Sequence, residues 1–140
     1  MEKFEIKIVR LKTGEDIIGF IFEDKQNNTV EIKYPKTFYS SFDSDIGYDE
    51  IIIVDWLPNA AYAYQETIVD RSDILFVAYA TIQFGVEYLK DILLDVDPKL
   101  PVYKSIEQLV DQYNGEVDSY EENNSTNPLT IHWLFSNCIV

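Results

Sequence analysis

The feature that most constrains this chain is the series of short alternating segments that fills its first eighty residues. In FEIKIVRL, residues 4–11, apolar and polar residues alternate with the period of two that is typical of a β-strand. Comparable segments follow, separated by residues that favour turns. We predict five strands, in FEIKIVRL, DIIGFIFED, TVEIKYP, EIIIVDWL and ETIVDRSDILFVAYA. Short strands at this density favour a small barrel or sandwich over a fold with parallel crossovers.

Particular residues within these segments predict where the strands bend and end. Gly19 lies in the middle of the second segment, where a glycine often marks a sharp bend. Pro35 has no backbone N–H and argues against a central ladder position, although residues 36–41 are able to continue the strand after a kink. The last segment is expected in two pieces that meet at the polar corner of residues 70–73. Residues 42–50 are rich in Asp and predict an exposed loop.

The pattern changes at about residue 83, where apolar residues begin to recur at helical spacing. We predict an amphipathic helix there, with one face formed by Val86, Leu89, Ile92 and Leu93. The prolines within residues 98–101 are expected to end it. Ser105 followed by Gln108 is a capping-box signature for a second helix, which is expected to end at Gly115.

The remainder of the chain changes in composition. Residues 116–128 are acidic and polar with little to bury, which predicts a linker. Residues 129–140, LTIHWLFSNCIV, are apolar and β-prone, so we predict a terminal strand that pairs with a sheet edge or a neighbouring subunit. The expected organisation is therefore a β-barrel or sandwich over residues 1–80, a helical extension over residues 81–115, the acidic linker and the terminal apolar strand.

The formal charge of the chain bears on whether nucleic acid is a partner. Asp and Glu number 25 against 11 Lys and Arg, which gives a net charge of −14. Such a field repels phosphate backbones over about a Debye length, so nucleic acid is disfavoured as an average partner. A few cations held close together would still suffice for local recognition of a phosphate backbone.

Compartment and membrane association can also be predicted. The longest apolar stretches are strand-sized and far shorter than the roughly 20 residues that a membrane span needs. The N-terminal residues lack the pattern of a signal peptide. Cys138 is the single cysteine, so no intrachain disulfide is expected and a reducing cytoplasm is the simpler location. We therefore expect a cytoplasmic protein without membrane contact.

The segment IVRLKTG, residues 8–14, resembles the first motif of the Sm and Sm-like family. The resemblance continues at six positions after this segment: Ile17, Ile18, Gly19, Ile21, Asp24 and Asn28. The second family motif, which ends in Arg-Gly, corresponds here to Asp70, Arg71 and Ser72. The resemblance covers roughly residues 4–80. The long C-terminal extension looks like that of divergent Sm-like proteins encoded by tailed marine cyanophages, which would place this chain in the host cytoplasm.

The resemblance implies a mainly β fold, a small five-stranded Sm-like (SH3-like) barrel followed by C-terminal helices and a terminal strand. It also implies a non-catalytic homo-oligomeric ring of about five to seven subunits, five favoured, in which the fourth strand of one subunit pairs with the fifth of the next. In RNA-binding members, the loop after the second strand and the loop between the fourth and fifth strands line the pore. Carried over to this chain, these loops contain Asp24, Lys25, Asn27, Asn28 and Arg71.

Two functional hypotheses follow. In the first, the ring binds RNA, with Asn reading a base edge and Arg stacking or neutralising phosphate. The Asn27-Asn28 pair also fits a plain turn, because Asn tolerates left-handed backbone. In the second, the ring is an acidic protein-interaction or assembly module that binds protein partners and no nucleic acid. An enzyme ranks last, because no combination of acid, base and nucleophile emerges from the sequence.

Other polar features predict no chemistry of their own. Calcium could use the acidic segment 43–50, although hydrated surface is the simpler account. His132 has no flanking nucleophile and predicts a structural or interface role. Cys138 has no basic neighbour and is expected to be a small apolar residue instead of a reactive thiol. We therefore predict no catalytic residue, no metal and no cofactor.

Overall fold

The computed structural model describes residues 4–45, 47–56 and 66–123, and within them the protein is mainly β, with a six-stranded antiparallel sheet followed by two helices. A 3-10 turn, Arg71–Asp73, joins the last two strands. The strands are β1 (Glu5–Leu11), β2 (Asp16–Asp24), β3 (Thr29–Asp43), β4 (Tyr48–Asp55), β5 (Glu66–Asp70) and β6 (Ile74–Tyr79), and the helices are α1 (Ile82–Leu93) and α2 (Pro101–Asn123). The chain divides into two compact units, one of Ile8–Ala78 and the other of Met1–Lys7 with Tyr79–Val140.

The long strand β3 pairs with three other strands of the sheet. One edge of β3 pairs antiparallel with β2, from Thr37 opposite Ile17 to Thr29 opposite Asp24. Its other edge pairs with β5 over residues 29–33 and with β4 over residues 36–43. β4 and β5 therefore follow each other along one edge of β3, like two halves of a single antiparallel partner.

A bend separates the two halves of β3. Pro35 lies between the β5 and β4 ladders, where no N–H is required, and the preceding Tyr34 has a φ of 50°. The register between β2 and β3 also shifts at Gly19. A Cβ at Gly19 would lie 2.9 Å from Ile32 Cγ2 and 3.1 Å from the Lys33 carbonyl oxygen, so the bend needs glycine. The register irregularity lies at Gly19 and the break between the β5 and β4 ladders lies at Pro35, the positions at which a bend and a kink were predicted.

The core of the sheet unit consists of aliphatic side chains from one face of the strands. These residues lie on β1, β2 and β3 or at the start of β6, and each is buried; they are Val9, Leu11, Ile17, Ile21, Val30, Ile32 and Ile74. Trp56, Val69 and Val77 pack against this cluster and stay partly exposed. Burial of each large aliphatic side chain stabilises the fold by roughly 1.5–3 kcal/mol, so this cluster holds the sheet together.

The sheet differs from the prediction in three respects. The described chain has six strands where five were counted, because the two pieces predicted within ETIVDRSDILFVAYA are separate strands, β5 and β6, that pair with different neighbours. The expected loop at residues 42–50 is mostly paired strand, since β3 and β4 continue to a short turn. The hydrogen-bonded path runs β4-β3-β2-β1-β6 with β5 on β3, and it is not closed into a barrel.

In the helical unit, α1 and α2 pack against each other. Thr81 caps α1, because its hydroxyl accepts a hydrogen bond from Phe84 N at 3.3 Å. The apolar face of α1 includes Val86, Leu89 and Ile92, as the periodicity predicted. The buried residues of α2 are Ser105, Ile106, Leu109, Val110 and Tyr113.

The bounds of α2 differ from the prediction. It begins at Pro101, which suits a first helical turn because proline lacks an N–H that would be unpaired there. Ser105 is inside the helix, and its hydroxyl bonds to the Pro101 carbonyl oxygen at 3.4 Å. The helix also continues through Gly115 to Asn123, into the predicted linker, since one glycine costs only about 1 kcal/mol. The rest of that linker and residues 129–140 lie outside the described residues.

Within the described residues, we find no helix that combines the length and the apolar character needed to cross a lipid bilayer.

Candidate functional site

A cleft lies where the β2–β3 turn meets the 3-10 turn that precedes β6. Its volume is about 130 Å³, and it is lined by Glu23, Asp24, Lys25, Asn28, Thr29 and Arg71. Four of the five side chains predicted to contact RNA therefore line one cleft, although Arg71 is distant from the others in sequence. The fifth, Asn27, belongs to the same turn without lining the cleft.

The first wall of the cleft is held by a hydrogen-bonded turn. The Asp24 carboxylate accepts a bond from the side-chain amide of Asn27 at 2.7 Å and another from its backbone N–H at 3.0 Å. These bonds hold the pKa of Asp24 below its ordinary value, because they stabilise the ionised carboxylate. Asn28 follows with a φ of 55°, a left-handed conformation that Asn tolerates. Asn27 thus positions the turn, and Asn28 both shapes it and faces the cleft.

The second wall is the 3-10 turn. Its N-cap is Asp70, whose carboxylate accepts bonds from the Ser72 hydroxyl at 2.7 Å and the Ser72 N–H at 2.9 Å. These bonds lower the pKa of Asp70. The backbone N–H of Arg71 donates to the Asn28 carbonyl oxygen at 3.0 Å, which joins the two walls.

The Arg71 side chain is half-buried and only partly engaged. Its Nη1 donates to the Ile74 carbonyl oxygen at 3.1 Å. A guanidinium has five N–H donors, and within the described residues no other group bonds to those of Arg71. The anchored nitrogen fixes the plane of the group, while the remaining donors stay available for a ligand.

The charge in the cleft is balanced, unlike the charge of the whole chain. Lys25 and Arg71 supply two cations, and Glu23 and Asp24 supply two carboxylates, so the lining sums to zero in a protein of net charge −14. The Lys25 side chain is exposed and makes no ion pair within the described residues. The cleft is therefore a place where a phosphate meets less repulsion than the average surface would impose.

The donors in the cleft suit a polar ligand with an anionic part. Lys25 and Arg71 can contact phosphate oxygens, and the Asn28 amide can both donate to and accept from a base edge. No aromatic side chain of the described residues lines the cleft, so among them stacking on a base falls to the Arg71 plane. Elsewhere in the described part of the chain, no group of three His, Cys, Asp or Glu side chains could hold a metal ion. His132 and Cys138 lie outside the described residues.

The sequence prediction missed Glu23 and Thr29 in the cleft. Both lie at strand ends beside the turn, on β2 and β3. The turn itself was visible in the sequence, and its flanking residues could have been added because they necessarily share its surroundings.

Two strand edges of the sheet carry exposed apolar side chains. Among the described strands, β5 pairs only with β3 and β6 pairs only with β1. Ile68 on β5 is 67% exposed, and Leu75 on β6 is 59% exposed. The Phe76 ring is also partly exposed, with the Arg10 guanidinium 5.0 Å above it. Among the described strands, both edges thus offer backbone groups without a ladder partner together with apolar surface, the combination that another chain can pair with.

Comparison with known proteins adds no relative: no protein-family model matches the chain, and a search of curated proteins finds no significant match.

Proposed function

We propose that this chain is a non-catalytic Sm-like protein that assembles into a closed homo-oligomeric ring and binds RNA at the cleft beside the β2–β3 turn. The observation that carries the proposal is that Asp24, Lys25, Asn28 and Arg71 line one cleft. These residues come from two separate segments of the sequence, and their convergence in one cleft supports the proposal.

The path of the strands supports an Sm-like barrel as the underlying fold. β4 and β5 together act as one antiparallel partner of β3, the 3-10 turn reverses the chain, and β6 pairs with β1. Counting β4 and β5 as one interrupted strand restores the five strands of such a barrel, with β6 as the fifth. The bend at Gly19 is the feature that lets one strand serve both halves of a barrel.

Two different free edges support a ring. Pairing of β5 in one subunit with β6 in the next would be a heterologous contact, which repeats until rotation closes the assembly. Closure would cover Ile68 and Leu75, which are exposed in the single chain. About five subunits is the favoured number, although the angle between neighbouring subunits sets it.

RNA would bind through its backbone and one base edge at each cleft. Lys25 and Arg71 would contact phosphate, and Asn28 would read the base. In a ring, each subunit would contribute one cleft, and several clefts would contact the same strand of RNA. Weak binding at each cleft would then give a higher overall affinity through avidity.

The test combines light scattering with binding of labelled oligo-U and oligo-A RNA over a salt titration. We expect a ring-sized mass and an affinity that falls with salt. Arg71→Ala and Lys25→Ala should each weaken binding, whereas Lys104→Ala, which removes an exposed cation from α2, should not. A ring-sized mass without RNA binding would support the proposed assembly and contradict the RNA site. A monomeric mass would contradict both.

The second candidate function is an acidic protein-assembly module. The net charge of −14 and the apolar side chains exposed on β3 and β4, among them Phe42 and Ile51, favour it. It predicts protein partners and no salt-sensitive affinity for nucleic acid.

A further inference from the structure

The outer edge of β4 continues that of β5, because both strands pair with the same edge of β3, and it differs from the edge of β6. β4 is the terminal strand of the sheet path, and among the described strands it pairs only with β3. Its ladder with β3 is continuous, from Asp55 opposite Lys36 to Tyr48 opposite Asp43, without a register shift. The outer backbone groups of β4 therefore form a regular row that an added strand could bond to.

The hairpin is apolar on both faces. On one face, Phe42 is 65% exposed and Ile51 is 53% exposed. On the other face, Tyr39 is 53% exposed and Val54 is 39% exposed. The register sets this division, because Ser40 is opposite Ile51 and Thr37 is opposite Val54. A strand added to β4 would extend both faces and cover apolar surface on each.

Natural sheets usually protect such an edge, and the charged carboxylates are the one protection of the common kinds within β4. The segment YDEIIIVD contains no Lys, Pro or Gly, and the continuous register excludes a bulge against β3. Its only polar side chains other than Tyr48 are carboxylates at its ends, those of Asp49, Glu50 and Asp55. Among the described strands, the edge thus has no partner along its length, and its exposed carboxylates are those of Glu50 and Asp55.

The charges distinguish among the strands that could add there. In antiparallel pairing of β4 with a second β4 about Ile52, Asp49 of each copy would lie opposite Asp55 of the other. Like charges directly opposite each other destabilise a sheet, and the −14 charge of each copy adds to the repulsion. Asp55 is already engaged by the Lys36 ammonium, which leaves Glu50 exposed at the other end. An apolar strand with cations at its ends avoids every one of these repulsions.

We propose that the β4 edge is a docking site for an extended peptide segment of a partner protein, apolar and β-branched in its centre and carrying Lys or Arg at the end that lies beside Glu50. The peptide adds to the sheet as a further antiparallel strand, a known mode of peptide recognition. Main-chain hydrogen bonds to β4 supply affinity, Phe42 and Ile51 cover its side chains on one face, and Glu50 selects its charge. This site is distinct from the RNA cleft, so it holds whether or not the chain binds RNA, and it lies on the same edge of β3 as β5, next to the proposed ring contact.

The test uses fluorescence anisotropy with three synthetic peptides. The first has a Thr-Val-Ile-Val-Thr centre between lysine pairs, the second has glutamate pairs instead, and the third keeps the lysines but has prolines in its centre. Charge pairs across strands contribute roughly 0.2–1 kcal/mol each, so we expect the first peptide to bind about tenfold more tightly than the second. The proline peptide should bind as weakly as the second, because proline cannot complete the ladder.

Variants of the protein locate the site. Glu50→Lys should remove most of the preference for the lysine peptide, while Glu107→Lys, the same change at an exposed position of α2, should preserve it. Ile51→Ser should weaken binding of the lysine peptide without changing the molar mass or the RNA affinity.

Four results would each overturn the proposal. Equal affinity for the lysine peptide and the proline peptide would mean that charge alone attracts them. Equal effects of Glu50→Lys and Glu107→Lys would place the site elsewhere. A lower molar mass of Ile51→Ser would assign β4 to a second copy of the chain, and tighter binding of a peptide of residues 129–140 would assign it to the chain's own tail.

Discussion

The backbone N–H of Arg71 donates a hydrogen bond of 3.0 Å to the carbonyl oxygen of Asn28. This bond joins the 3-10 turn to the β2–β3 turn, and the pairing of Asp70 with Thr29 in the adjacent ladder supports it. The backbone therefore places residue 71 at the cleft whatever its side chain is. Substitution of the Arg71 side chain should remove cleft donors without moving the walls, which makes it a clean test of ligand binding.

Acid should weaken the two turns that form the cleft. The pKa values of Asp24 and Asp70 are lowered in the folded protein, so the stability that they contribute is present above the unfolded value of about 3.9 and is lost as the pH falls through the lower folded values. Urea unfolding followed at several pH values should show this loss. Asp24→Asn should reduce the slope of stability with pH in that range, and Asp111→Asn, on an exposed part of α2, should not.

Addition of one methyl group at Gly19 should destabilise the sheet. The new Cβ would lie 2.9 Å from Ile32 Cγ2 and 3.1 Å from the Lys33 carbonyl oxygen, so Gly19→Ala should lower the free energy of unfolding by about 1–3 kcal/mol. Gly115→Ala is the matched control: nothing lies within 4 Å of its Cβ position inside α2, and it should stabilise the protein by about 0.5–1 kcal/mol. Thermal unfolding of both variants measures these changes in stability. An equal effect of the two substitutions would contradict the close approach at Gly19.

A charge on the β5 edge should dissociate the proposed ring. Ile68 is 67% exposed in the single chain, and pairing with a neighbouring β6 would bury it. Ile68→Lys should therefore reduce the molar mass in light scattering to that of a monomer or of short open oligomers, because a buried unpaired ammonium is costly. Leu94→Lys, at a leucine that is 83% exposed beyond the end of α1, should keep the mass of the parent. A ring that tolerates Ile68→Lys would require a different interface.

The buried lysine of the β3–β4 hairpin should act through both its stem and its charge. The Lys36 side chain is only 8% exposed, and its ammonium donates a hydrogen bond to the Asp55 carboxylate, which is 41% exposed and so partly screened by water. Lys36→Ala should lower the free energy of unfolding by about 1–3 kcal/mol, since it removes the packed stem and a charge-assisted hydrogen bond. Lys36→Met keeps the stem and should recover part of that loss. Chemical denaturation of the two variants measures how much of the loss in free energy of unfolding comes from the stem and how much from the charge. Equal losses in the two variants would mean that the stem contributes nothing.

Much of the local structure could be predicted from the sequence, because alternation and turn residues are local properties. DIIGFIFED coincides with β2, and the polar corner at residues 70–73 separates β5 from β6. The helical spacing after residue 83 also identified the buried face of α1. A turn was predicted at Asn27-Asn28 because Asn tolerates a left-handed backbone, and Asn28 has a φ of 55°. Each of these depends on residues that are neighbours in the chain.

Only the tertiary structure decided how the elements combine. Alternation identifies a strand but not its partner, so the succession of β4 and β5 along one edge of β3 was not foreseen. That succession sets which edges remain free and brings Arg71 beside Asn28. The start of α2 at Pro101 and its continuation through Gly115 were also missed, since packing of its apolar face outweighs the local signals at Ser105 and Gly115. The sequence by itself determined the types of the strands and turns, whereas their pairing, the cleft and the open β4 edge depend on contacts between residues far apart in the chain.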